Sequence, residues 1–462
     1  MVAGKAILEE LVEFAIGLSF EEIPKAVIRQ ANRCLFDLIG CFYGGLSVKR
    51  CRELIDFASE LNPTPEVTLW GTCKKGGMAE AAFVHGCVAH HLEYDDGISL
   101  GAHWASETIP AILSMAETNN SNGSDVLTSL IMAYEIGNRV SQVFSKELLE
   151  KGIHFPCTMG VFGAIIGVAR IARLSFADTI GALGNACLAP IAPYIPAIRG
   201  APIKDAYAGW PNFLGIRLAQ FSPAGLGGPQ DLLEGPSGIA RIFDWSHSLN
   251  ELRKRITHGM GKEFQIMKTY FKPYPCCRWF HAPVWAILKM KNEGGWEGED
   301  VSSILIEGPA FLKAYNKKDG FHEEIAARFS LPFVAASAAL SGHMGLEEFQ
   351  ASQRMSALLN KLVNQVTVVK NSIYEKIFPS RFQARVTIRL KSGKQLEKEC
   401  GLPWGPDNPP TDRELEDKFI YLAGLVLKPS LIEQWQSFFT NGIENDFECE
   451  NLFGLLKENV ES

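Results

Sequence analysis

The sequence predicts a mainly α-helical protein with one large all-helical domain and a smaller α+β domain. Three observations support this fold class. Apolar residues recur with helical spacing from the N-terminus to about residue 260. After residue 300, short runs rich in β-branched residues appear, and one of them alternates strictly with polar residues. The chain has 462 residues, which is longer than one hydrophobic core usually supports, so we expect two domains.

The first segments are predicted to be amphipathic helices. Glu9, Glu10 and Glu13 interrupt the apolar pattern of the N-terminus, which excludes a secretory signal and favours an ordinary helix. In "IPKAVIRQANRCLFDLIG", Pro24 suits a first helical turn and Gly40 is predicted to end the helix.

Two further helices are predicted downstream. "SDVLTSLIMAYEIGNRV" repeats the amphipathic pattern, with Ser124 as the expected N-cap. "TMGVFGAIIGVARIA" is small and apolar on every side, which is typical of a central buried helix. The most apolar run reaches Arg170 after about ten residues, and a bilayer span needs roughly 20. We therefore expect no membrane partner.

The α+β domain is predicted from three strand-like runs. These are "VSSILIEG", "QVTVVK" and "RFQARVTIRL", and the last continues through the turn "KSGK" into a hairpin over residues 381 to 400. The tail returns to helical spacing after a capping-box-like "TDRE". The predicted domains are therefore residues 1–264 with 401–462, all helical, and residues 265–400, α+β.

Charge and cysteine content limit the function classes. Lys and Arg number 45 against 52 Asp and Glu, a net charge of −7, and no basic tract is present. Nucleic acid is therefore not an expected partner. The eleven cysteines are odd in number and contain no C-x-x-C pair, a pattern that favours reduced thiols and a cytoplasmic location.

The stretch "HHLEYDDGISLGAHW" carries three histidines and three carboxylates within residues 90–104. On a helix, His91 and Asp95 share a face and, together with the downstream His103, could bind a metal. Alternatively, His90 and Asp96 cap or solvate a helix end, because a glycine follows.

His103 itself follows a glycine-containing loop that can fold back over the helix end. It would then meet Asp95 or Asp96, and a carboxylate beside a histidine fixes its tautomer and tunes its pKa for proton transfer. This arrangement predicts acid/base chemistry rather than metal chemistry.

Five stretches in register resemble one family. They are "HLEYDDGISLGAHWASETIPAILSMAE", "GIHFPCTMGVFGAIIGVARI", "GAPIKDAYAGW", "FKPYPCCRWFH" and "AARFSLPFVAASAAL". They resemble the MmgE/PrpD family of 2-methylcitrate dehydratase, cis-aconitate decarboxylase and iminodisuccinate epimerase, and the similarity extends to the "NPPTDRELEDKF" tail. The resemblance implies a homodimer that needs no metal or cofactor. It also implies a site between the two domains, where a proton moves on a carbon next to a carboxylate of a small di- or tricarboxylate.

The resemblance also implies site residues. Lys204 and Lys272 match family lysines that neutralise a substrate carboxylate, and His154 matches a histidine that enters the pocket. The predicted catalytic residues are His103, Lys272, Lys204, His154 and Asp96. The predicted substrate-binding residues are Glu93, Asp95, Tyr207, Cys277, Arg278 and Trp104.

The chain departs from the family pattern at several of these positions. Glu93 replaces an aspartate, Gly97 a threonine, Cys277 a second pocket histidine, and Trp104 a proline. Tyr207 stands where many relatives carry histidine, and could act as a weak acid or simply pack. Trp104 and Cys277 suggest a preference for a more apolar carboxylate.

Cys276 and Cys277 allow a nucleophile interpretation, because Lys272 and Arg278 would lower a thiol pKa. No catalytic Cys–His signature surrounds them, so packing thiols are favoured.

Among reactions, dehydration of a hydroxy-carboxylate is expected first, epimerisation second and decarboxylation third. Two other classes are a metal-dependent hydrolase built on the histidine cluster and a carboxylate-binding protein without activity. The departures at Glu93, Gly97 and Cys277 allow the second.

Overall fold

Helices form most of the chain, as the sequence predicts for a mainly α protein. The computed structural model describes residues 5–61, 65–100, 102–321, 323–378, 381–442 and 446–460. Gly101, part of the predicted loop before His103, lies outside the described residues. Within the described ranges no helix is long and apolar enough to cross a membrane.

The helical part begins at the N-terminus and is completed by the C-terminal segment. Its first twelve helices are α1 (Ile7–Gly17), α2 (Lys25–Leu46), α3 (Lys49–Glu60), α4 (Met78–His90), α5 (Trp104–Asn119), α6 (Gly123–Glu150), α7 (Phe155–Ile171), α8 (Phe176–Gly184), α9 (Ile195–Arg199), α10 (Ala206–Phe221), α11 (Ile239–Ile242) and α12 (Leu249–Thr257). A short hairpin precedes α4, with strands β1 (Val67–Thr68) and β2 (Lys75–Gly76).

Helix α7 is the central helix of this part, which confirms the prediction from its small apolar sequence. It packs between α5, α6 and α10, and all its residues except Arg170 are buried. Glycine permits this close packing, because a Cβ at Gly163 would lie 2.7 Å from the indole of Trp104. His154 is the N-cap of α7, so the packing of this helix fixes the position of His154.

Two predicted helix boundaries are wrong. Helix α2 continues through Gly40 to Leu46, because that glycine makes room for the ring of Phe419, only 3.1 Å from where a Cβ would stand. Helix α6 is capped by Asn122, whose side chain accepts a hydrogen bond from the backbone N–H of Asp125. Ser124 lies inside the first turn and donates to Asn122 instead.

The α+β part follows, and its helices and strands are α13 (His281–Gly294), β3 (Val301–Gly308), α14 (Glu324–Arg328), α15 (Leu331–Ser341), α16 (Ala351–Arg354), α17 (Ala357–Asn364), β4 (Val366–Lys370), α18 (Ser372–Ile377), β5 (Gln383–Leu390) and β6 (Gln395–Gly401). The four strands form one sheet in the order β4-β3-β5-β6, with β4 parallel to β3 and the other pairs antiparallel. The three predicted strand runs and the hairpin are confirmed.

The C-terminal helices are α19 (Asp412–Ala423), α20 (Pro429–Gly442) and α21 (Cys449–Leu456). Thr411 and Glu414 form the predicted capping box at the start of α19. Buried apolar side chains make two large cores, and the C-terminal helices belong to the first core, with α1 to α8. The second core surrounds the four-stranded sheet and also includes Ala197 of α9. Phe271 belongs to the first core and Tyr274 to the second, so the chain passes from one core to the other between them.

Candidate active site

The loop between α4 and α5 carries Glu93, Asp95, Asp96 and His103. Gly97 in this loop forms an isolated antiparallel bridge with Tyr270, which ties the loop to the segment that passes between the two cores. Glu93 adopts a φ of 53°, in the left-handed region. This conformation costs a residue with a side chain about 1–3 kcal/mol, and it is concentrated at functional sites. The surrounding fold therefore holds Glu93 against its local preference.

Asp95 joins two histidines inside the protein. Its Oδ2 lies 2.8 Å from Nδ1 of His90 and 3.5 Å from Nδ1 of His103, and it accepts a hydrogen bond from Ser106 at 2.6 Å. Burial alone would raise the pKa of Asp95, but the two histidines and Lys272 hold this pKa well below its usual range. Asp95 is therefore an anion. His90 is only 1% exposed, so the expectation that it solvates a helix end is wrong.

Hydrogen bonding fixes the tautomer of His103. Its Nδ1 lies 2.9 Å from the backbone carbonyl oxygen of Asp96. A carbonyl only accepts, so Nδ1 donates and Nε2 keeps a free lone pair. Burial lowers the pKa of His103 to about 3, so the ring is neutral at neutral pH. His103 is thus a neutral base with one available nitrogen, which proton abstraction requires.

Asp96 contacts His103 through its backbone, and its carboxylate is directed elsewhere. Oδ1 accepts from the backbone N–H of Ala105 at 3.1 Å, so this side chain caps the start of α5. Oδ2 accepts from the hydroxyl of Tyr134 at 2.6 Å. Burial raises the pKa of Asp96 to about 7, against the opposing effect of the Tyr134 hydrogen bond.

Two buried lysines meet at Glu93. Lys204 stands on a 3-10 turn, Pro202–Asp205, and is 1% exposed, and Lys272 is fully buried. Both form ion pairs with the carboxylate of Glu93, and the Lys272 Nζ lies 3.1 Å from its Oε2. The same Nζ is 3.8 Å from Oδ1 of Asp95. Neither lysine is a solvated surface charge, because a buried ammonium group needs such anionic partners.

His154 presents the opposite hydrogen-bonding character to His103. Its Nδ1 accepts the backbone N–H of Cys157 at 3.4 Å, so its Nε2 carries the proton. Burial lowers the pKa of His154 well below its usual range, so the ring is neutral. One histidine therefore offers an acceptor and the other a donor.

A small cavity of about 60 Å³, named here the inner cavity, collects these groups. Its polar lining consists of His90, Glu93, Ser99, His103, His154, Tyr194, Lys204, Tyr270, Cys277 and Arg278. His103, His154 and Lys204 thus come together from three separate parts of the chain. Lys272 is not part of the lining, because it lies against Glu93 on the side of Asp95.

Three predicted substrate contacts lie outside the inner cavity, namely Asp95, Trp104 and Tyr207. The indole of Trp104 is fully buried in the helical core, where its Nε1 donates to Asn138 at 3.3 Å. Trp104 is the first residue of α5, so its side chain faces α6 and α7 while the neighbouring His103 faces the cavity. The hydroxyl of Tyr207 donates to the backbone carbonyl of Pro193 at 2.5 Å, and its ring packs 4.4 Å from that of His154.

The two adjacent thiols are not activated. Burial raises the pKa of Cys276 and of Cys277, the latter to about 11, against the opposing effect of nearby cations. Lys272 and Arg278 do lower the pKa of Cys276, as expected, but desolvation outweighs their charges, so the thiol is not activated as a nucleophile. Cys277 lines the inner cavity as a neutral thiol.

Sequence reasoning missed several lining residues. Tyr270 explains the departure at Gly97, because a Cβ there would lie 2.7 Å from Cζ of the Tyr270 ring. Its position directly before the "FKPYP" motif was a usable signal. Phe329 also lines the cavity and lies within the stretch "AARFSLPFVAASAAL", whereas Tyr194 lines it from outside all five family-like stretches.

The metal site predicted from His91, Asp95 and His103 does not form. His91 turns away from this loop, and its Nδ1 lies 2.7 Å from Oδ2 of Asp205. That carboxylate also pairs with Arg50 at 3.1 Å. The helical spacing of His91 and Asp95 fails because α4 ends at His90.

His90, rather than His91, completes a compact group with Asp95 and His103, whose ligand-type atoms lie within 4.8 Å of one another. The His103 nitrogen nearest Asp95 donates to a carbonyl and has no lone pair for a metal. The ammonium of Lys272 also lies beside Asp95. This donor set fits proton transfer better than metal binding.

Curated relatives match over nearly their whole length. A cis-aconitate decarboxylase-like protein of Aspergillus oryzae is 23% identical, over 97% of this chain and 97% of its own. A cis-aconitate decarboxylase of Aspergillus terreus is 22% identical, over 100% of this chain and 98% of its own. A cis-aconitate decarboxylase of Mus musculus is also 22% identical, over 98% and 94%. Together with the site, these relatives place the chain in the general class of lyases and isomerases.

Family models cover both parts of the chain. The MmgE/PrpD N-terminal domain matches residues 9–251 and the MmgE/PrpD C-terminal domain matches residues 274–439. The chain belongs to the MmgE/PrpD family.

Proposed function

We propose that this protein is a metal-independent lyase that moves a proton on a carbon next to a carboxylate of a small di- or tricarboxylic acid. The observation that carries this proposal is the meeting of a neutral imidazole and a buried ammonium group on one cavity. His103 supplies the base, and Lys204 supplies the cation when it is protonated, since burial lowers the pKa of Lys204 to about 7. A carbon beside a carboxylate is a weak acid, so both are needed.

The proton step follows from these positions. The C–H bond breaks toward Nε2 of His103, and its electron pair passes into the substrate carboxylate as an enediolate-like anion. Lys204 stabilises the charge that develops on the carboxylate oxygens. The imidazolium that forms on His103 is stabilised by the anionic Asp95, 3.5 Å from Nδ1. Lys272 does not line the cavity, and it positions the carboxylates of Glu93 and Asp95 through its contacts with both.

Dehydration of a hydroxy-carboxylate, as in 2-methylcitrate dehydratase, is the first reaction we propose. The donor nitrogen of His154 supports it, because a leaving hydroxyl must gain a proton as its C–O bond breaks. Decarboxylation is the second candidate, favoured by the names of the relatives. It uses the same cation, but a C–C bond of the substrate breaks with loss of carbon dioxide, and the electron pair left on carbon takes a proton from the donor nitrogen of His154.

We also propose that the protein is a homodimer. Eight large apolar side chains between residues 176 and 226 are exposed, and exposed apolar side chains of this kind are available for burial against a second copy of the chain. They are Phe176, Leu188, Ile191, Ile195, Ile203, Trp210, Phe221 and Leu226. Light scattering coupled to gel filtration should give twice the monomer mass, and a monomer at micromolar concentration would contradict this.

The reaction is tested by proton NMR in heavy water with 2-methylcitrate, citrate, cis-aconitate and iminodisuccinate. We expect at least one acid to gain solvent deuterium next to a carboxylate, and the products to separate dehydration, decarboxylation and epimerisation. Binding of these acids with no exchange in any of them would overturn the proposal in favour of a carboxylate-binding protein.

A further inference from the structure

The inner cavity is too small to hold a whole substrate. Its volume is about 60 Å³, whereas ligand sites usually measure about 300–1,000 Å³. A second void of about 820 Å³, named here the outer groove, adjoins it. Ile98, Ser99, Tyr270 and Arg278 line both voids. The two voids are therefore neighbours, with these four residues between them.

Arg278 lies at this boundary, and one donor of its guanidinium group has no hydrogen-bond partner in the part of the chain that the structure describes. It is 5% exposed, its guanidinium carbon lies 4.0 Å from the centroid of the Tyr270 ring, and its Nη1 donates to the backbone carbonyl of Pro403 at 2.9 Å. Its Nε is buried and has no hydrogen-bond partner among the described residues. A buried donor without a partner is costly, so this edge suits an anion that is not part of the protein.

Basic side chains that can bind an anion line the outer groove. Lys268 and the exposed Arg381 line it, in addition to Arg278. Glu399 and Asp407 also line it, and Glu399 is paired with a neighbouring arginine at 3.7 Å. Apolar walls are provided by Trp285, Phe382, Leu402 and Pro403. Cations beside apolar walls match an alkyl chain that ends in a carboxylate.

We propose that the outer groove is the second half of the substrate site and binds the distal carboxylate of an extended dicarboxylic acid. The reacting end lies at His103, the chain passes Arg278, and the far carboxylate lies near Lys268 and Arg381. This inference rests on the proposed function for the reacting end. It adds that the substrate is a dicarboxylic acid too long to fit in the inner cavity alone.

The test measures the affinity of the whole protein for succinate, adipate and suberate by calorimetry. These acids differ only in the length of the chain between their carboxylates. We expect suberate to bind most tightly and succinate most weakly. Lys268→Gln and Arg381→Gln should each weaken suberate binding by about fivefold, the effect of losing one partly exposed ion pair, and leave succinate unchanged.

Arg389→Gln is the matched control, because Arg389 is exposed on β5 and lies outside the outer groove. It should leave all three affinities unchanged. Affinity that does not rise with chain length, equal weakening for every length, or no binding of suberate would overturn the inference. Failure of the proposed function differs from this result, because it appears as the absence of deuterium exchange and leaves the length dependence of binding intact.

Discussion

The ion pair between Glu93 and Lys272 gives the sharpest prediction about how the site is built. The change is Glu93→Gln, alone and combined with Lys272→Met. The two charged atoms lie 3.1 Å apart, with Lys272 fully buried and Glu93 3% exposed. Glutamine keeps the size and the hydrogen-bonding capacity of the side chain but removes its charge.

The magnitude follows from the burial of the pair. Two unit charges at this separation attract by about 5 kcal/mol at an effective dielectric constant of about 20. Removing one partner of a buried pair costs about 3–5 kcal/mol, and the retained hydrogen bond offsets about 1 kcal/mol. We therefore expect Glu93→Gln to lower the free energy of unfolding by about 2–4 kcal/mol, and we expect a coupling with Lys272→Met of about 2 kcal/mol.

Urea unfolding of the wild type, both single variants and the double variant measures this coupling. The exposed pair Lys49–Glu53 is the control, because its atoms are 3.3 Å apart but its side chains are 84% and 61% exposed. Its coupling should stay below about 0.5 kcal/mol. Equal coupling in the two pairs would refute the reasoning that burial makes Glu93 and Lys272 interdependent.

The remaining predictions concern pH, thiol reactivity and packing. Burial lowers the pKa of His103 from 6.5 to about 3, so between these pH values the unfolded state binds a proton at this residue and the folded state does not. The stability that the neutral His103 contributes is therefore fully present above pH 6.5 and is lost as the pH falls toward 3. Relative to His103→Gln, the wild-type free energy of unfolding should fall by about 1.4 kcal/mol per pH unit in this window, and parallel pH profiles would contradict it. Iodoacetamide at neutral pH should label the exposed Cys73 well before Cys277, as read by mass spectrometry, and faster labelling of Cys277 would contradict its raised pKa. Gly97→Ala should lower the melting temperature by displacing the ring of Tyr270. In the double variant with Tyr270→Ala, the total loss should be smaller than the sum of the two single losses. Additive losses would contradict a contact between residues 97 and 270.

Much of the fold is encoded in local patterns. The strict alternation over residues 383–390 and the β-branched run over 301–308 identify β5 and β3, because strand periodicity needs no information from distant residues. The prediction that α2 ends at Gly40 is wrong because glycine has two common roles, ending a helix and allowing a close neighbour. The second role applies here because Phe419, which is distant in sequence, packs against this glycine.

The site could be predicted in part. The loop that returns His103 to Asp95 is implied by the glycines before it, and the structure brings the two together. The choice between His90 and His91 depends on where α4 ends, which boundary signals leave open by a residue or two. The burial of Trp104 depends on glycines in α6 and α7, which no local pattern around residue 104 reveals.

In the proposed reaction, His103 takes a proton from a carbon beside a carboxylate. The most direct measurement is the rate of deuterium incorporation into a bound carboxylic acid by the wild type and by His103→Ala. His85→Gln is the control, because His85 is a fully buried histidine that lies outside the inner cavity. We expect a fall of at least about 100-fold for His103→Ala and almost none for the control, with both variants folded by circular dichroism. A folded His103→Ala variant that exchanges deuterium at the wild-type rate would contradict it.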